Sequence, residues 1–173
     1  MKNNQLINDL HSIHPELLIN IHKIKGYSDD EIKKIERLYD IKVADQLYDF
    51  LNCMGRCSGG FFCDDPLIFY REWFIRGHIL FQYGSREELY NLGLWDMLEQ
   101  KPFFISIESE TQYYFLLTNS SQPDLVHHYD ENEAKVRVLD KNFNEYLGYI
   151  ISSYNESFIA LTPVDFSGDL LRL

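Results

Sequence analysis

Apolar and polar positions alternate along this chain with a period that changes near its middle. Leu6, Ile7, Leu10 and Ile13 recur at helical spacing, continued by Leu17, Leu18 and Ile21 past an interruption at Pro15. They predict a short amphipathic helix behind a polar lead. Ser28-Asp29-Asp30-Glu31 has the spacing of a capping box and opens a second helix carried by Ile32, Ile35, Glu36 and Leu38. Tyr39-Asp40 ends it, and Ile41-Lys42-Val43 links it to a third. There Leu47, Phe50, Leu51 and Met54 form the apolar stripe, with Gly55 at the position of a C-terminal cap. Gly59-Gly60 then allows a tight turn or a close approach of two backbones, and Asp64-Asp65-Pro66 reads as another turn.

Beyond that point strand patterns enter. Leu67 to Tyr70 and His78 to Phe81 read as short strands or buried stretches. Ser85-Arg86-Glu87-Glu88 has a second capping-box spacing, ahead of a helical stretch with Leu89, Leu92, Trp95, Met97 and Leu98 that Gly93 interrupts. The strongest β signal is Phe103 to Ile107 and Gln112 to Thr118, joined by the polar loop Glu108-Ser109-Glu110-Thr111 as a hairpin. Leu125 to Tyr129 and Lys135 to Leu139 give two further strands. A last helix starts at Asp140 or Asn142, with Phe143, Tyr146, Leu147, Ile150, Ile151 and Tyr154 on one face. The tail carries Phe158, Ile159, Leu161, Val164 and Phe166, too apolar to stand in water alone.

The expected organisation is therefore an N-terminal helical extension over 1–26, one α+β domain over 27–154, and a tail over 155–173 packed on it. The domain holds an antiparallel-rich sheet of about four to six strands flanked by helices. A length of 173 residues suits one core of this kind.

Charge changes the picture more than composition does. The formal net charge is −11, from 16 Lys+Arg and 27 Asp+Glu. Residues 1–63 hold 8 basic and 9 acidic side chains, whereas residues 64–173 hold 8 and 18. Almost all of the negative field thus belongs to the second part. It argues against a nucleic-acid binder, whose affinity comes from cations on phosphates, and points to a basic partner, with a solvated acidic surface as the plainer reading.

Chemical signatures are sparse. Cys53, Cys57 and Cys63 are odd in number, follow no zinc-ribbon or finger spacing and have no His among them, so they read as ordinary partly buried thiols. His11, His14 and His22 have no matching carboxylate or thiol pattern and read as polar-face residues. No phosphate loop, GxGxxG or GxSxG is present. On a strand His127 and His128 point to opposite faces and cannot serve one site without a bulge; Asp130 or Glu133 beside one of them makes only a weak metal constellation. Trp73 and Trp95 read as core anchors. No catalytic set, cofactor site or metal site is expected. A signal-peptide pattern and any apolar run near ~18 residues are lacking, so a reducing cytoplasm is the expected compartment.

Three stretches resemble one family. Tyr27-Ser28-Asp29-Asp30-Glu31-Ile32 with Ile35, Glu36, Tyr39 and Ile41, then Leu47-Tyr48 with Phe50-Leu51 and Gly55, then Gly59-Gly60, are similar to the SUKH superfamily. The strand ending near Ile107, the strands Tyr113 to Leu117 and Val126 to Tyr129, and a closing helix with Phe143 and Tyr146-Leu147 extend the likeness over roughly 27 to 152. The chain departs from the pattern at Val43-Ala44, at Met54-Gly55 and in its cysteine-rich turn. The resemblance implies the SUKH fold, with Glu36, Gly55, Gly59 and Gly60 as pattern residues, and a role without catalysis. Bacterial members are immunity proteins that bind toxins, often nucleases; the yeast cell-wall-synthesis regulator stands for the alternative, an intracellular interaction module without a toxin. A scattered hydrolase or metal site is the third class weighed. For the immunity reading, a basic protein toxin is the expected partner, with neither nucleic acid nor membrane bound directly and the oligomeric state left open. Charge density and loop position select Asp64, Asp65, Glu108, Glu110, Asp130, Glu131 and Glu133 as candidate contacts.

Overall fold

The computed structural model describes residues 4–62, 66–153 and 168–171. Its elements in chain order are α1 (Asn4–Ile13), α2 (Asp29–Tyr39), α3 (Asp45–Met54), a 3-10 turn (Ile68–Tyr70), α4 (Ile75–Asn91), α5 (Trp95–Glu99), β1 (Pro102–Glu108), β2 (Gln112–Leu117), β3 (Leu125–Asp130), β4 (Lys135–Asn142) and α6 (Phe143–Ser152). The strands form one antiparallel sheet in the order β1-β2-β3-β4, an up-and-down meander.

Alternation along the strands gives the sheet two buried faces. Phe103, Ile105, Leu116 and Val126 belong to the larger core, which also takes in Phe50, Leu51, Phe143, Tyr146 and Ile151 from the helices. Phe104, Phe115, Leu117 and Tyr129 belong to a second core closed by Leu89 of α4. The molecule is thus a single α+β domain with helices on both faces of its sheet. A β-bulge between Phe104 and Ser106 turns Ser106 inward, where its Oγ accepts a hydrogen bond from the Tyr146 hydroxyl at 3.0 Å.

Local chemistry explains the helix ends. Ser28 caps α2 in a reciprocal capping box with Glu31, and Asp40 ends the helix in the left-handed conformation. Asn142 and Glu145 make the same box at the start of α6. Each replaces orphan backbone partners that a free helix end would leave unsatisfied.

Several expectations are corrected. Helix α1 stops at Ile13, and the apolar spacing after Pro15 makes turns that leave Leu18 and Ile21 exposed. Of the two readings of Leu67 to Tyr70 the buried stretch holds and the strand does not, since Ile68–Tyr70 forms a 3-10 turn; His78 to Phe81 lies in a helix, with His78 buried and Leu80 exposed. Ser85 caps nothing: α4 has begun ten residues earlier, and Ser85 is buried in its interior. Trp95 is half exposed, with its ring edge-on to Tyr90 at 4.3 Å, while Trp73 packs against the main core. Cys63, Asp64, Asp65 and the tail positions Tyr154, Phe158, Ile159, Leu161, Val164 and Phe166 lie outside the described residues.

Residues 168–171 sit against α2 and the end of α3. Leu170 is fully buried; its amide donates to the Tyr27 hydroxyl at 2.8 Å and its carbonyl accepts from Tyr39 at 2.9 Å. Arg56 bridges Asp169 to Glu31, the latter at 2.6 Å, and lies over the Tyr27 ring at 4.4 Å. One mostly buried guanidinium therefore ties the start of α2, the end of α3 and the C-terminal residues together.

Candidate functional site

In a four-strand meander the first and third connections fall at the same end of the sheet. Here those connections are Ser109 to Thr111 and Glu131 to Ala134. The two loops touch: the Glu131 amide donates to the Thr111 carbonyl at 2.9 Å, and the Asn132 side chain donates to the Thr111 hydroxyl at 3.0 Å. Five of the seven candidate acids, Glu108, Glu110, Asp130, Glu131 and Glu133, are thereby gathered at one end of the molecule. The other two, Asp64 and Asp65, are not described.

The five differ in what their carboxylates already do. Asp130 accepts from the amides of Asn132 at 2.9 Å and Glu133 at 3.2 Å, fixing the β3–β4 turn. A hydrogen bond from the Gln112 side chain and these amides hold its carboxyl below the usual carboxylate range. Glu133 is paired with Arg137 four residues on. Glu131 accepts from the Tyr113 hydroxyl at 3.1 Å and Glu108 from the Tyr114 hydroxyl at 3.3 Å. Glu110 is exposed at the hairpin tip with a positive φ of 60°. Asp130 and Glu133 are committed to the turn and the edge strand; Glu108 and Glu131 are carboxylates held by tyrosine hydroxyls, and Glu110 stands exposed at the tip, where its carbonyl accepts from the Tyr113 hydroxyl at 3.1 Å. The tyrosines pay in acidity: burial, joined by the neighbouring Glu131, pushes the Tyr113 hydroxyl up to about 12.

The two histidines of β3 separate as their alternation requires. His127 stacks on Phe115 at 5.3 Å on one face, and His128 stacks on Tyr114 at 4.8 Å on the other. His128 Nε2 lies 2.7 Å from the Gln112 side-chain oxygen. Burial lowers the pKa of both rings. Among the described residues no group of three or more His, Cys, Asp or Glu is placed to hold a metal ion, and Cys53 and Cys57 are buried. No helix among them is long and apolar enough to cross a membrane.

The pattern residues of the N-terminal half are structural joints. Glu36 reaches forward from α2 and accepts from the Val43 amide at 2.8 Å, holding the α2–α3 link open. Gly55 ends α3 in right-handed geometry; a Cβ there would stand 2.8 Å from the Leu51 carbonyl and 2.9 Å from the Tyr27 ring. Gly59 and Gly60 have φ of 68° and 104°, and Gly59 lies against the backbone of Asn20, whose amide it accepts at 2.7 Å. Sequence reasoning missed the Arg56 bridge, since its partners Glu31 and Asp169 stand far apart in the chain and no local pattern joins them.

By its geometry the molecule is a domain that presents loop surfaces, with its pattern residues set at joints between elements and its carboxylates at one end of the sheet. The model of the family described as SUKH_6: SMI1-KNR4 cell-wall matches residues 29–147. That stretch is more than half of the chain and includes everything from the first capped helix to the middle of α6; the chain belongs to this SUKH family. Comparison with the curated proteins and with the solved structures found no match.

Proposed function

We propose that the chain is a non-catalytic immunity protein that binds and neutralises a cognate basic protein toxin, in the first place a nuclease. The observation that carries this reading is the gathering of acids from two separate hairpins at one end of the sheet, in a chain with a net charge of −11. A protein that acts on nucleic acid needs a cationic cleft for phosphates. Glu108, Glu110 and Glu131 would occupy such a cleft where phosphates otherwise lie, so that one bound copy blocks one active site without turnover. The outward carboxylates need no cofactor for this.

The test is co-expression with the product of the adjacent reading frame. The reading predicts rescue of growth and co-purification in equal amounts. Absence of both contradicts it. Normal growth with capture of a non-toxic cell-wall protein instead would favour the alternative, an interaction or regulatory module without a toxin.

A further inference from the structure

Helix α4 is built inside out. The positions it buries, at helical spacing, are His78, Gln82, Ser85 and Leu89, three of them polar. Its outward face carries Arg76, Leu80, Tyr83 and Glu87, with Leu80 58% and Tyr83 69% exposed, and Phe74 at the helix head 84% exposed. An amphipathic helix on a sheet places its apolar stripe inward. Here Gln82 is held inward by hydrogen bonds to the Phe104 main chain, and while Phe81 and Leu89 pack on the domain, Leu80 and Tyr83 face away from it. Beside the stripe runs an apolar groove of about 700 Å³ bounded by Trp73, Gly77, Leu80 and Phe81. Gly84 flanks it further along, and a Cβ there would meet nothing within 4 Å. A mid-helix glycine costs about 1 kcal/mol relative to alanine, and no contact among the described residues calls for it.

We infer that this face is a homodimer interface in which α4 packs antiparallel against α4 of a second copy. The order of charge along the stripe selects that occupant. Arg76 lies at the N-terminal end and Glu87 at the C-terminal end, with Leu80 and Tyr83 placed evenly between them. A two-fold axis between Leu80 and Tyr83 brings Arg76 of each copy to Glu87 of the other, and Leu80 of each to Tyr83 of the other. A stripe with one cation and one anion at opposite ends does not suit the basic partner proposed for the acidic end. The dimer therefore stands independently of that reading.

The test is light scattering with size-exclusion chromatography over a dilution series of the full chain. The wild type is expected to move with concentration toward the mass of two 20.6 kDa chains. Leu80→Glu and Tyr83→Glu are expected to remain monomeric, with an unchanged far-UV circular dichroism spectrum because both side chains are exposed. Arg76→Glu and Glu87→Arg are each expected to weaken association by about tenfold, and the double variant to recover it. A monomer at every concentration overturns the proposal, as does a dimer indifferent to Leu80→Glu and Tyr83→Glu. Failure of the double variant to recover association overturns the antiparallel register.

Discussion

His78 is fully buried against Trp73, and neither ring nitrogen has a hydrogen-bond partner among the described residues. Burial lowers its pKa from 6.5 to about 4, with Asp169 opposing and Arg71 reinforcing the shift. The unfolded chain therefore takes up a proton at higher pH than the folded one. Stability from this residue is complete above about pH 6.5 and is lost as pH falls toward 4. Melting temperature should drop across that window, and His127 and His128, also lowered by burial, share in the slope. Replacing the unsatisfied imidazole by His78→Phe should flatten the slope and raise stability near neutrality by about 1 kcal/mol. An unaltered pH profile in that variant would show that the ring is solvated in the folded state. The sequence reads His78 only as part of a short strand or buried stretch, and the helical spacing with Gln82, Ser85 and Leu89 that turns it inward is not legible there.

The elements divide by whether local pattern and tertiary packing agree. Helices α2 and α6 were legible because a capping box and an apolar stripe point to the same face. The hairpin of β1 and β2 was legible from alternation on both sides of a polar loop. Helix α4 was not, because its buried positions are polar and Ser85, with Glu88 three residues on, imitates a helix start. What holds α4 in place is Gln82, whose amide donates to the Phe104 carbonyl at 2.7 Å and whose oxygen accepts from the Phe104 amide at 2.9 Å, covering the free edge of β1. Gln82→Ala should cost about 2 kcal/mol in chemical denaturation by leaving two buried backbone groups unpaired. A loss within the error of the measurement would mean that apolar contacts of Leu89 and Phe81 suffice.

At the scale of the whole molecule, the acidic bias of residues 64–173 was visible in the chain, but its concentration was not. The loops that carry Glu110 and Glu131 meet, through Thr111, only because the strands run as a meander, so that alternate connections share an end. Which of these acids are free to face a partner also depended on the structure, since Asp130 and Glu133 serve the turn and the edge strand. Charge-neutral replacement at Glu108, Glu110 and Glu131 together should slow association with a basic partner by about tenfold while leaving the melting temperature near that of the wild type. The central claim is electrostatic recognition of a toxin by this end of the sheet, and the association rate constant against ionic strength tests it most directly. The account predicts a rate that falls steeply as salt screens the acids, and a much shallower fall for the triple Glu→Gln variant. A rate indifferent to salt, equal for both proteins, would contradict it.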